Sequence, residues 1–303
     1  MNPLLLSEIS TDNVDPLKAL LLLEEYIFEQ KSLLPDQFEQ LVAQCQLALN
    51  ASDSDVISDL DSDQNVLEIN LDAKANINSD LESFIENEQE DALQQIERFL
   101  DCVFIDLLLV DEKQTQWNID TYLLSNSIAQ RQIAPALKVI LIQQLAQRCG
   151  LQCDVVFIPE TLMVRLVCDH DYAVIFEPVT GEALDWPTLY EKMTDIEGDP
   201  ESISLEGEST KVLLRNYLIS LKNALIAHKQ FQPALRCVDV LLAMKPNDPI
   251  ERRDRGFLLH QLDCFKVAYD DYRYFVEQCP EDPAAQLLKI QLDNIHISDI
   301  ILH

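Results

Sequence analysis

The chain has 303 residues, 48% of them apolar, and a formal net charge of −31, enough apolar material for one large core or two modest ones. Residues 211–303 carry 12 basic and 12 acidic side chains, which leaves 10 basic and 41 acidic ones, and all of the net charge, in residues 1–210. Direct binding to DNA, RNA or an anionic membrane is disfavoured, because it rests on lysines and arginines that displace counterions.

The N-terminal part predicts two helices. Pro16–Glu29 repeats Leu17, Leu20, Leu21 and Phe28 at helical spacing behind Asp15 as a cap, and Pro35–Leu49 does the same with Phe38, Leu41, Val42, Cys45 and Leu49. From Asn50 to Ser79 the composition turns to Asp, Ser and Asn with Lys74 the only basic residue, which predicts a flexible acidic insertion. Asp59, Asp61 and Asp63 open like a calcium loop. Gln64 stands where such a loop turns on glycine, and Asn70 where it closes with a bidentate glutamate, so no metal is expected.

Helical spacing returns from Leu81 to Gln130. Leu93, Ile96, Leu100, Val103, Leu107 and Leu108 form one stripe, and a further helix runs from Trp117 through Tyr122, Leu123 and Ile128. No apolar run is long enough to span a bilayer and no basic leader opens the chain, so a soluble, cytoplasmic protein is expected. Five glycines and no Walker or dinucleotide pattern argue against a phosphate-cradling loop, and no cofactor is expected. The eight cysteines include no C-x-x-C pair and read as buried, reduced thiols.

The pattern then switches from helix to strand. Leu137, Ile140, Leu141 and Leu145 predict a helix over Pro135–Cys149, with Pro135 in its first turn and Gly150 ending it in the left-handed region. Val155–Ile158, Leu162–Cys168 and Tyr172–Phe176 predict an antiparallel sheet, the last two joined by the turn Asp169-His170-Asp171. The segment Leu189–Thr210 has no clear period and reads as a linker. Beyond it Phe231, Ala234, Pro246, Asp248 and Pro249 recur as Phe265, Ala268, Pro280, Asp282 and Pro283, each 34 residues on. That is the tetratricopeptide period, and it predicts helices near Lys211–His228, Gln232–Met244, Pro249–Gln261, Cys264–Gln278 and Pro283–Asn294.

The fold class expected is therefore α+β and predominantly helical, a helix on an antiparallel sheet followed by a helical tail. Expected boundaries are 1–49 for an N-terminal helical segment, 50–79 for the insertion, 80–200 for the core and 211–303 for the tail. The core resembles the SirB-type transglutaminase-like family, which carries tetratricopeptide-like helices behind its domain. Its members read R-G-I-P-I-S-L, P-G-H-F and D-P-F-N-G-G where this chain has Arg131–Leu137, Pro159–Leu162 and Glu177–Glu182. Arg253-Asp254-Arg255-Gly256 with Leu258-Leu259 is similar to a segment of that family's tail, and the resemblance covers Leu93 to Asn294.

The resemblance implies a nucleophile at the helix start facing a histidine and an acid on two strands. Those positions hold Ala136, Thr161 and Glu177. Alanine has no attacking atom and threonine is no base near neutral pH, so the expected function is a non-catalytic, regulatory scaffold that binds another protein. A cryptic amidase or acyltransferase is the alternative, and it would need another site built on His170, His228, His260, His296 or His303. In the tail, Lys211, Arg215 and Lys222 are the candidates for partner binding, and Arg253 and Arg255 for docking the tail onto the acidic domain.

Overall fold

The computed structural model describes residues 3–11, 13–29, 36–50, 91–114, 116–158, 161–169, 172–197, 205–290 and 292. The expected acidic insertion, its three aspartates, and His170, His296 and His303 lie outside the described residues. The chain forms two compact units interleaved in sequence. One holds residues 1–35, 114–140 and 208–303, the other 36–113 and 141–207.

In the first unit, α1 (Pro3–Ser10) and α2 (Pro16–Phe28) pack on the tail. Asp15 caps α2 as its sequence demands, its Oδ1 accepting from the Lys18 amide at 3.0 Å. Leu17, Leu20, Leu23 and Ile27 make the buried face, and Arg236 fastens α2 by donating to the Ile27 carbonyl at 2.8 Å. A short 3-10 turn (Ile119–Tyr122) and α5 (Leu124–Gln130) replace the single helix expected after Trp117. They are anchored to the tail by Tyr217, whose buried hydroxyl donates to the Tyr122 carbonyl at 3.0 Å.

The tail follows the 34-residue repeat: α8 (Thr210–Ala227), α9 (Phe231–Met244), α10 (Pro249–Gln261), α11 (Phe265–Gln278) and α12 (283–290). Repeated residues do repeated work. Ala234 and Ala268 are buried in the second helix of each pair, while Asp248 and Asp282 cap the helices that follow, accepting from the Ile250 and Ala284 amides. Gly256 lets α10 and α11 approach, since a Cβ there would stand 2.8 Å from the Tyr272 ring.

The division between the units falls within α6 (Pro135–Arg148), which is buried along most of its length and ends at Gly150 with φ +85°. The second unit contains α3 (Asp36–Asn50), α4 (91–101) with a π turn at Cys102–Asp106, and the sheet. The π turn breaks the expected stripe. Leu107 stays buried, but Leu108 takes φ +52° and is 57% exposed.

Strands β1 (Cys153–Ile158), β2 (Thr161–Val167) and β3 (Ala173–Phe176) lie in that order, antiparallel throughout, with Val156 opposite Met163 and Val164 opposite Phe176. One face buries Val156, Ile158, Met163 and Ile175 against Leu189 of α7 (Trp186–Glu197). A linker is expected from Leu189. A helix forms instead, because Leu189 completes this apolar cluster. The other face buries Val155, Val164, Leu166 and Phe176, and Phe104 of the π turn meets Phe176 edge-on at 5.7 Å.

Candidate functional site

The three positions that carry chemistry in the resembling family are placed one by one. Ala136, the second residue of α6, offers only a buried methyl. Thr161 opens β2 opposite Ile158, half-buried, on the sheet face that carries Met163. Glu177 follows β3, and its Oε2 accepts from the Val179 amide at 3.1 Å, the Thr180 amide at 2.7 Å and the Thr180 hydroxyl at 3.0 Å. These bonds fold the turn that leads to Gly181. The carboxylate that would orient a catalytic base here holds its own loop.

Among the described histidines, His228 bonds through Nδ1 to the Ala224 carbonyl at 2.8 Å, and His260 stacks edge-on against Phe265. Both belong to tail helices. No group of three or more His, Cys, Asp or Glu side chains among the described residues could hold a metal ion.

A second feature lies in the tail. Between α8 and α10 an open groove of about 520 Å³ is lined by Arg215, Ile219, Asn223, Lys245, Ile250 and Arg253, over a floor of carboxylates. Arg215 bonds Asp248 at 3.2 Å and is 42% exposed, while Lys245 reaches the same carboxylate and is 64% exposed. Lys211 lies in the first turn of α8, partly covered.

Lys222 corrects the sequence expectation. It was expected to face a partner, but its side chain is 2% exposed and its Nζ bonds Glu251 at 2.9 Å and Asp254 at 2.7 Å. Glu251 and Asp254 stand three apart on α10 and so share one face, which is what draws the lysine inward. That spacing was readable in the sequence; which helix would face it was not. Arg253 and Arg255, expected to dock onto the acidic domain, find carboxylates inside the tail: Arg253 bonds its neighbour Asp254, and Arg255 grips buried Asp271 with two bonds of 2.6 Å. Asp271 in turn raises the Arg255 pKa. Lys245 and the two isoleucines of the groove carry no local signal in the sequence: Ile219 and Ile250 look like ordinary helix residues, and Lys245 like any turn lysine after a helix.

Asp248 gives the groove a pH dependence. Burial pushes its carboxyl up, but Lys245 and the Glu251 and Ile250 amides outweigh it and hold the pKa below the usual carboxylate value. A lowered folded pKa means stability that is complete above the unfolded value of about 4 and is lost as pH falls through the folded one. Asp248→Asn keeps the cap and removes the charge. It should cost about 1 kcal/mol near neutral pH and flatten the fall of the urea midpoint below about pH 4. An unchanged acid limb would refute this role for Asp248.

A family model described as transglutaminase-like superfamily matches residues 54–216, more than half of the chain. The chain belongs to the transglutaminase-like superfamily. A tetratricopeptide repeat model matches residues 221–293 of this transglutaminase-like protein. SirB1 of Salmonella typhimurium is 30% identical over 69% of the chain and 79% of its own length. A UPF0162 protein of Buchnera aphidicola is 32% identical over 73% and 83%, and one of Vibrio cholerae 28% over 71% and 81%. The SirB-type resemblance read from Arg131 onward is therefore one of membership. No solved structure matches the chain. No helix among the described residues is long and apolar enough to cross a membrane.

Proposed function

We propose that this transglutaminase-like protein is a non-catalytic scaffold of the cytoplasm, which binds another protein through the groove between α8 and α10 in a regulatory role. The reading rests above all on the chemistry at positions 136, 161 and 177. A methyl group replaces the nucleophile, a hydroxyl replaces the base, and the remaining carboxylate is occupied by the Val179 and Thr180 donors. The groove supports the second half. Two half-exposed cations stand beside Ile219 and Ile250, an arrangement that suits an acidic segment carrying an apolar side chain. Lys211 at the start of α8 would extend that positive rim.

Catalysis is tested with the full chain, a fluorescent primary amine and a glutamine peptide, together with ester and amide substrates. Rates equal to the protein-free blank are expected. Turnover above the blank that disappears in one cysteine-to-serine variant would overturn the reading and favour an amidase or acyltransferase.

A further inference from the structure

Three cysteines far apart in sequence converge in the second unit and serve neither the altered catalytic positions nor the groove. Cys45 lies on α3, Cys102 opens the π turn, and Cys149 follows the last residue of α6. The Sγ atoms of Cys45 and Cys102 are 3.7 Å apart, and Cys149, next in the chain after Arg148, adjoins Cys45. Two further contacts hold α3 against the end of α6: Gln46 Nε2 donates to the Arg148 carbonyl at 3.1 Å, and Arg148 pairs with Glu39 at 3.5 Å. The thiols differ in access. Cys45 and Cys102 are buried, whereas Cys149 is partly open to solvent.

We propose that these thiols form an oxidation site for small hydroperoxides, in which Cys149 takes up the oxygen and Cys45 closes a disulfide. Their order follows from geometry. Only Cys149 meets solvent, and Cys45 is its neighbour within the protein. Cys45 lowers the Cys149 pKa, while Cys149, burial and Cys102 raise the Cys45 pKa, so of the two sulfurs the accessible one gives up its proton more readily. The anion is favoured by Cys45 and not by the helix, whose C-terminal end opposes negative charge.

The chemistry balances with the hydroperoxide as oxidant. The Cys149 thiolate attacks the terminal peroxide oxygen: an S–O bond forms, the O–O bond breaks, and an alcohol, or water from hydrogen peroxide, departs with a proton. Cys149 is then a sulfenic acid. Cys45 attacks that sulfur: an S–S bond forms, the S–O bond breaks, and the hydroxyl leaves as water with the Cys45 proton. Two thiols lose two electrons and one peroxide is reduced.

The experiment treats the full reduced chain with hydrogen peroxide below one equivalent. Thiols are counted after denaturation, and unreduced peptides are mapped by mass spectrometry. Expected are two thiols lost per peroxide, a cross-link that contains Cys45, and Cys149 oxidised about tenfold faster than exposed Cys264 in the same molecules. Cys102→Ser should confine the cross-link to Cys45–Cys149. Cys45→Ser should leave a sulfenic acid on Cys149 that dimedone labels, and Cys149→Ser should abolish the cross-link at matched peroxide. Cys149 reacting no faster than Cys264, or a cross-link forming at the wild-type rate in Cys149→Ser, would overturn the proposal. The comparison of Cys149 with Cys264 needs no variant, so a substitution that unfolds the chain leaves the test intact.

Discussion

Lys222→Ala is expected to lower the stability of the full chain by about 3–5 kcal/mol, the usual cost of removing one partner from a buried ion pair. The magnitude follows from burial. Lys222 is 2% exposed and Glu251 4%, so the orphaned Glu251 would keep a largely buried charge without its ammonium. Burial already pushes the Glu251 carboxyl up against the opposing pull of Lys222, and the variant removes that pull. Asp254 is less affected, since Arg253 holds its other oxygen through two bonds. Replacing both partners, Lys222→Met with Glu251→Leu, should therefore recover most of the loss. Urea unfolding of the two variants checks this. A loss under about 1 kcal/mol for Lys222→Ala would mean that the pair behaves as a surface salt bridge.

Gly181→Val is expected to cost about 2–5 kcal/mol, summing left-handed strain and overpacking. Gly181 sits at φ +79°, where L side chains are strained, and a Cβ there would fall 2.7 Å from Cγ of Phe104. That neighbour is a ring packed edge-on against Phe176, not the tip of a flexible chain. Relief requires moving Phe104 off the sheet. Unfolding followed by near-ultraviolet circular dichroism reads both the stability and the ring environment. A variant of wild-type stability would show that the π turn gives way without cost.

Local chemistry made much of this fold legible. Asp15 before Pro16, Pro135 at a helix start, Gly150 at its end and the 34-residue recurrence of Asp248 as Asp282 each fix a helix boundary through neighbours in sequence. What escaped depends on distant partners. Leu189 looks like linker until Val156 and Met163 supply its apolar surroundings. The exposure of Leu108 follows from one π turn, which shifts the helical phase by a residue and leaves no mark in the apolar spacing. Likewise Lys222 looks like a surface lysine until α10 brings two carboxylates to it. Boundaries drawn in chain order divide residues 1–35 from 208–303, whereas α2 packs on α8 and α9 within one unit. The three altered positions are the opposite case. Ala136, Thr161 and Glu177 are named by the family pattern alone, and only the structure adds that Glu177 is engaged by Val179 and Thr180.

The proposed binding of a partner in the tail groove is open to site-specific photo-cross-linking in living cells. A benzophenone amino acid would replace Asn223, which lines the groove, or Leu47 on the exposed side of α3 as a control, in the otherwise unaltered chain. One dominant cross-linked protein is expected from position 223 and none from position 47, with the product lost when Arg215 and Lys245 are both changed to Glu. A partner captured equally from both positions, or one captured at 223 and indifferent to the two charge reversals, would contradict it.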